Sequence, residues 1–589
     1  MPVGRGANFK EVPLNIAGSS VFGRYPKISQ EHTFNMFISD NWLVPYAGYQ
    51  IALSSSKFAN GKVGRAVFTS TKFNRLVVVI DNSVYLVSLT FNQATAKVTY
   101  SQVIFIGNLE TSTGVVYITE SNKPQICISD GVAIYIYDPT LTPVFQLAVA
   151  AHPTVDTPGF PLGFVPGYLT FHDSYFLCAA TQDFFYPGAT NTWRLCLIGN
   201  DGETDGTQWP DDASHIGVIE TKPDNTQAVV RFPSKGNMIM VMGSIVSETW
   251  FDTGSQLFPY QRNNQMNIDY GCLSPATVAY MDDKVVWLAQ NEKSGPIIMY
   301  SEGGMPHKIT TDGIDYLFST LQNPQDSQAF LYRQDGHLFY HINFYSDNLS
   351  LYYDFSTEKF YNACDQNLNY FIAAEIAFFN NQYYFITRNN ANLFAFDTIF
   401  TTYQDVDSLG DVIISEIPRI RTCANIRLPS QDYFIANDLG FTIESGETNY
   451  YQQDLGPIRL ITQDKQHLAT QNSETIFFVT QDDQFITSQN DDFFIAQQLN
   501  LLEESEELIT QQEANTGFGL LSQPRVDLSI STDGGASFGQ EWAYYLPPLG
   551  LRKNALRWWQ IGIANDLVCQ FKFWGIGRFV ATDGVVNIR

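Results

Sequence analysis

The chain reads as an all-β protein built around a β-propeller. Three observations predict this. Short apolar runs rich in Val, Ile, Tyr and Phe recur along most of the 589 residues, separated by Gly, Asp and Asn turns. A unit of four such runs returns at a regular spacing. Aromatic content is 14% and dominated by 44 Phe and 31 Tyr, which suit strands better than helices.

Residues 271–315 show the unit most clearly. They read GCLSPATVAYMDDKVVWLAQNEKSGPIIMYSEGGMPHKITTDGID. Four runs, 276–280, 284–289, 296–300 and 305–310, are parted by Asp282-Asp283, a 291–295 loop and Glu302-Gly303-Gly304. Four antiparallel strands in one such unit is the size of a propeller blade. The same grammar begins near Val67, Val116, Leu169, Val229, Phe330 and Ile376. In each, an apolar run is followed by a polar turn and then a strongly apolar strand. One blade cannot bury both sheet faces, whereas a ring of blades buries both and leaves only short edges. The spacing predicts six or seven blades within a propeller of residues 61–410. The count depends on whether the N-terminal segment completes a blade.

Residues 1–60 hold no helical period. Pro13, Gly18, Gly23, Pro26, Pro45 and Gly48 break them into an extended arm with short strands. Such an arm pairs either with a blade edge or with a neighbouring subunit, and removing 1–50 is expected to spare the propeller while impairing assembly. From about Ser415 the rhythm changes. Residues 417–429 read as one long strand with 524–531 as its partner, and further runs lie at 542–546, 556–563, 567–574 and 578–588. Residues 411–430 and 516–589 therefore form a C-terminal β-sandwich-like domain.

Between its halves lies an inserted acidic β-repeat domain, 431–515. A short phrase recurs there, from FIANDLG at Phe434 to FIAQQ at Phe494, with Gln at 463, 471, 481, 489 and 497. One short strand and one polar turn per step fit stacked strands or a meander. The insertion holds 16 acidic residues against Arg459 and Lys465. It reads either as a protruding domain with a solvated acidic face or as a docking surface. Asp482-Asp483 and Asp491-Asp492 lack the glycine pattern of calcium-binding loops.

The net charge is −26 with 16% charged residues. That argues against a protein that grips nucleic-acid phosphate, because such grip needs clustered Lys and Arg. A surface along which DNA slides stays open. The seven scattered cysteines form no CxxC and read as buried free thiols. The N-terminus lacks a signal-peptide pattern, and no apolar run is long enough for a membrane span.

Chemical motifs are few. Ser531, Asp533, Gly535 and Phe538 match an Asp box, a hairpin in which the Asp accepts turn amides and the aromatic anchors below. Asp boxes occur in sialidase propellers, so a glycan-cleaving propeller is one alternative. It would need two facing carboxylates or an equivalent nucleophile and acid, which the sequence does not nominate. His337 and His341 have zinc-helix spacing but lie in a strand pattern without the Glu, and read as ordinary strand histidines. Gly61-Lys62 is not a P-loop, and Gly575-Ile576-Gly577 lacks a third glycine and a helix. Arg552, Lys553, Arg557, Trp558 and Trp559 are the basic-aromatic cluster, read as a sandwich strand with a basic rim and, as the sharper alternative, a base-stacking patch. No catalytic residue, cofactor or metal site is predicted.

Four stretches carry a family resemblance: RYPKISQEHTFNMFISDNWLVPYAGY (24–49), VSETWFDTGSQLFPYQRN (246–263), GPIIMYSEGGMPHKITTDGID (295–315), and SISTDGGASFGQEW with RWWQIGIANDLVCQFKFW (within 529–574). With them the chain resembles the packaged-DNA stabilisation proteins, the tail hub or nozzle, of short-tailed bacteriophages. The resemblance implies a structural virion protein in the tail, assembled in the bacterial host cytoplasm. It implies a homo-hexamer below the portal or its head-to-tail adaptors that retains packaged DNA, conducts it during ejection and anchors tail fibres or spikes. It implies no catalysis and no sequence-specific DNA contact. The 431–515 insertion departs from the family pattern. A non-catalytic receptor-binding tail module is the further alternative.

Overall fold

The computed structural model describes residues 10–23, 31–92, 97–150, 162–184, 189–199, 202–255, 258–406, 412–447, 524–546, 553–575 and 578–589, with the short pieces 476–477 and 495–496. Among them the one α-helix is Asp312–Ser319, and nearly all other regular structure is strand.

Seven antiparallel sheets follow one another along the chain. Blade one is Gly64–Ser70, Arg75–Ile80, Ser83–Asn92 and Lys97–Asn108. Blade two runs from Tyr117–Glu120 to Phe145–Leu147, and blade three from Phe164–His172 to Ile216–Val218. Blade four runs from Thr226–Arg231 to Tyr260–Ile268, and blade five from Gly271–Cys272 and Ala279–Met281 to His307–Lys308. Blade six begins with Ser327–Gln334 and ends with Lys359–Asn362. Blade seven contributes Ala373–Phe379, Gln382–Thr387 and Leu393–Asp397, and its fourth strand is Gly48–Leu53, taken from the N-terminal arm. Neighbouring blades touch in sequence around the axis, and Ala373–Phe379 closes on Gly64–Ser70. Every blade start expected from the sequence falls in an inner strand or one residue before it.

Turn chemistry accounts for the hairpins. Asp173-Ser174, Asp282-Asp283, Asp335-Gly336 and Asn380-Asn381 all have positive φ at both positions. That is the twist-matched type I′ geometry, which Asp, Asn and Gly tolerate best.

Side-chain alternation then assembles the ring. On Arg75–Ile80, Leu76, Val78 and Ile80 pack toward blade seven, whereas Val77 and Val79 pack toward blade two. On Lys284–Gln290, Val285, Trp287 and Ala289 face blade four, and Val286 and Leu288 face blade six. Strands buried on both faces read as continuous apolar runs for this reason. Each fully buried Val or Leu contributes about 1.5–3 kcal/mol. One apolar cluster lies at each of the seven blade junctions, and an eighth fills the C-terminal domain.

The C-terminal domain is two packed sheets. One holds Lys10–Leu14, Met36–Ser39, Trp42–Pro45, Phe434–Glu447, Lys553–Ala564 and Arg578–Ile588. The other continues blade six outward through His32–Phe34, Arg419–Thr422, Val568–Trp574, Arg525–Ser531 and Trp542–Tyr545 as one nine-stranded sheet. A single sheet thus joins propeller to sandwich.

Three expectations change. The run 417–429 is not one strand. Arg419–Thr422 pairs with Val568–Trp574, which lies between it and Arg525–Ser531. Beyond it Asn425 and Arg427 turn to Asp566, and the ladder resumes only as the Ile426–Leu567 bridge. Second, Phe434–Glu447, whose opening phrase matches the acidic repeat, is a central sandwich strand paired on both sides. Its apolar residues Phe434, Ala436, Leu439, Phe441 and Ile443 fill the sandwich core. Third, the arm is not a separable extension, because it supplies strands to both domains. Beyond residue 447, the insertion contributes only the antiparallel pair Ile476–Phe477 and Ile495–Ala496 to the described residues. The repeat phrases at Leu460, His467, Phe478 and Phe485, the rest of the phrase at Phe494, Asp482-Asp483, Asp491-Asp492, Arg552, Ile576 and Gly577 lie outside them, as do residues 24–30 of the first family stretch and 256–257 of the second.

Candidate functional site

The residues that carry this architecture are those that tie the two ends of the chain to its middle. Gly48–Leu53 runs antiparallel to Leu393–Asp397 and meets Tyr403 on its other side. Tyr49 is wholly buried there and stacks on Tyr403 with ring centres 4.2 Å apart. Phe385 and Phe394 meet it edge-on at 5.4 and 5.6 Å. Gly48 lies so close to the Phe400 and Thr402 carbonyls that an added Cβ would sit 2.4 Å from the first and 2.6 Å from the second. A glycine is needed for that approach.

Arg421 anchors the arm. It is fully buried, and its guanidinium donates to the carbonyls of Ile16 at 3.1 Å, Ser19 at 3.0 Å and Asn15 at 3.0 Å. It also donates to Thr33 Oγ1 at 3.2 Å and pairs with Glu31. One planar fork with five donors gathers a whole turn of backbone in this way. A second buried pair, Arg194 with Asp183 at 2.7 Å, braces blade three.

A carboxyl near the ring axis joins two blades. Glu375, on the inner strand of blade seven, accepts the Val67 N–H of blade one at 2.9 Å. It therefore bridges the seam at which the ring closes. Tyr117 and Tyr168, on the inner strands of blades two and three, have ring centres 5.0 Å apart, and both feel the Glu375 charge. Burial pushes the Glu375 carboxyl up to about 8, against a smaller lowering by the Val67 amide. A raised carboxyl favours folding while protonated. Its contribution is complete below the unfolded value near 4.5 and is lost as pH rises through about 8. Glu375→Gln is therefore expected to leave stability nearly unchanged at pH 4. Its stabilising effect should grow with pH and level off above pH 8 at several kcal/mol, with about 5 kcal/mol as the upper bound. Urea midpoints across pH check this, and a gain independent of pH would contradict the assignment.

The Asp box lies at the sandwich hairpin between Arg525–Ser531 and Trp542–Tyr545, not in a propeller blade. Ser531 Oγ accepts the Gly535 N–H at 2.8 Å and donates to Asp533 Oδ1 at 2.5 Å. Asp533 also accepts the Ser537 N–H at 3.0 Å, and Gly535 has φ +92°. Hydrogen bonds from Ser531 and Ser537 hold the Asp533 carboxyl well below the usual range. Phe538 is half-buried. The group is a turn whose acceptors are already engaged by its own backbone and hydroxyls.

The strand histidines are saturated. His337 contacts Asp354 at 2.8 Å and Ser39 at 3.1 Å, and His341 contacts Tyr46 at 2.8 Å and Asn343 at 3.1 Å. Burial drives His341 down to about 3, so it stays neutral. Among the described residues no three His, Cys, Asp or Glu side chains converge as a metal cage. All seven cysteines are buried and unbridged, and burial raises their thiols, which makes them poor nucleophiles. No described helix is long and apolar enough to cross a membrane.

In the basic-aromatic cluster the strand alternates. Trp558 packs inward, with its indole N–H donating to the Trp542 carbonyl at 3.1 Å. Trp559 is exposed, and Arg557 lies 4.5 Å over its ring while pairing with Asp438 at 2.6 Å. The arginine is thus committed within its own sheet.

Arg421, Tyr49 and Glu375 are not nominated by the sequence. For Arg421 a signal existed: an arginine inside the apolar alternation of a strand has to find buried acceptors. For Tyr49 and Glu375 nothing local distinguishes them from other strand residues.

The molecule is thus a closed propeller tied to its sandwich by the N-terminal arm, with a structural turn at the Asp box. Residues 204–398 match a phage-stabilisation family described as Bacteriophage P22 Gp10, beta-propeller. Over that stretch, from late blade three to blade seven, the chain is similar to this phage-stabilisation propeller family. Two of the four stretches that carried the resemblance lie inside the match, and 24–49 and 529–574 lie outside it. No curated protein matches the chain. Among solved structures, virginiamycin B lyase from Staphylococcus aureus is 11% identical over 59% of this chain and 99% of its own, with TM-score 0.36. The N-terminal domain of Nup159 is 8% identical over 60% and 95%, with TM-score 0.32. An ancestral GH74 enzyme is 10% identical over 64% and 51%, with TM-score 0.36. Likenesses this distant carry no argument about activity.

Proposed function

We propose that this chain is a non-catalytic virion protein of a short-tailed phage. It forms a hexameric hub or nozzle below the portal or its adaptors, retains packaged DNA, conducts it during ejection and anchors fibres or spikes. The observation that supports this most is the family match over blades four to seven. The charge is compatible with a conduit. Duplex DNA carries one negative charge per about 1.7 Å, so a basic lining would bind it and slow its passage. The net charge of −26 is compatible with an acidic lining, which would repel DNA and keep transit fast.

Six copies in a closed ring need one heterologous contact repeated by rotation. Light scattering on the purified chain with portal complex is expected to report six copies per ring. A persistent monomer in that mixture would refute the hexameric hub. In an image of the assembly, a lumen dominated by Lys and Arg would refute the repelling channel. A fluorogenic glycoside panel is expected to show no turnover.

A further inference from the structure

A recess of about 210 Å³ opens between the hairpin ends of blades six and seven. It is smaller than the roughly 300–1,000 Å³ of pockets that enclose drug-sized ligands, so it suits one ring-sized unit. One wall is aromatic. Phe378 lines it and is 48% exposed, and its ring lies 4.8 Å from that of Tyr383. The lining also includes the apolar Ala47 and Phe396 and the polar Arg333, Asp335, Asn381 and Asp397.

Two of the charges at the rim are already paired. Arg333 Nε donates to Asp282 at 2.8 Å, and Arg578 donates to Asp335 at 2.8 Å. A cationic ligand would sit beside Arg333, and an anionic one beside Asp335 and Asp397. An uncharged ligand with many hydroxyls meets neither penalty, because each hydroxyl both donates and accepts. Asp397 already takes the Ile399 N–H at 2.9 Å and so is held in place. The exposed face of Phe378 asks in addition for an apolar surface of similar width. A pyranose ring has both: hydroxyls around its edge and a C–H face.

The frame is rigid. Gln334 bonds to the Ala47 N–H and the Pro45 carbonyl, both at 3.1 Å, and Asn380 bonds to the Leu89 carbonyl at 2.8 Å. Tyr383 accepts the Arg333 N–H at 3.0 Å, which fixes the aromatic wall against blade six. Preorganisation of this kind lowers the cost of binding.

We propose that this recess binds one neutral hexopyranose unit, its C–H face on Phe378 and its hydroxyls toward Asp397, Asn381 and Arg333. The proposal does not rest on the virion role, and it is read on the isolated full-length chain. The probes are the methyl glycosides of glucose, galactose, mannose and N-acetylglucosamine, followed by saturation-transfer NMR and titration. N-acetyl-lysine methylamide serves as the cationic control. At least one glycoside is expected to bind with a dissociation constant on the order of millimolar. Phe378→Ala and Asp397→Asn are each expected to weaken it at least tenfold. Phe378→Leu, which keeps the apolar contact but removes the flat ring, is expected to weaken it as well. A polymer bound more than tenfold tighter than its own monosaccharide would identify a surface glycan as the source, and equal affinity a free sugar; both keep the site. No transfer from any glycoside at about 50 mM, binding indifferent to both Phe378 variants, or binding of the lysine derivative alone would overturn it.

Discussion

Tyr49→Ala is expected to lower the stability of the propeller by about 3–5 kcal/mol, the range for deleting a large buried aromatic. Tyr49 sits on the strand that closes the ring. Four aromatic neighbours, Phe371, Phe385, Phe394 and Tyr403, lose their partner when it is truncated. Urea unfolding measures the loss. Among the described residues the Tyr49 hydroxyl has no hydrogen-bond partner, so Tyr49→Phe is expected to hold or raise stability. The pair of variants separates ring packing from polar contact. Deletion of 1–50 carries the same argument further. It removes half of a blade-seven strand together with Tyr46, Ala47 and Tyr49 from one apolar cluster. The truncated chain is expected to lose the propeller rather than only its assembly, with proteolysis entering blades seven and one first. A deletion mutant with wild-type protease resistance in those blades would show that the ring closes without the arm.

Arg421→Met is expected to cost about 3–5 kcal/mol, the range for breaking a buried ion pair by removing one partner. The methionine replaces the aliphatic stem but leaves Asn15, Ile16 and Ser19 carbonyls without their donor and Glu31 without its cation. The effect should be local before it is global. Hydrogen exchange at residues 15–21 is expected to rise well ahead of exchange in blades two to five. Arg421→Lys should recover only part of the loss, because an ammonium cannot span carbonyls arranged for a planar fork. Uniform acceleration across the whole chain would mean that Arg421 supports the core in general and does not anchor the arm.

The two variants probe what could not be read from short windows. Blade positions were legible because their causes are local. Alternation on Arg75–Ile80 and the Asp282-Asp283 turn need only their own residues to specify a strand and a hairpin. The Asp box was legible for the same reason, since Ser531, Asp533, Gly535 and Ser537 bond to one another within one turn. The strand Phe434–Glu447 was misplaced because its first residues echo the repeat phrase. What assigns it to the sandwich is pairing with residues more than 100 positions away.

The amino-acid order alone thus determined an all-β chain of repeated hairpins, the inner strand of each blade and the turns between them. All of these follow from side-chain periodicity and backbone preferences that act over a few residues. Only the tertiary structure decided that the blades number seven, that Gly48–Leu53 closes the ring and that one sheet runs from blade six into the sandwich. It likewise placed Glu375 at the seam with Val67 and left Phe378 at the mouth of a polar recess. Those outcomes depend on backbone edges and buried acceptors that meet only when distant segments fold together, and no local pattern records which edge will be left for which strand.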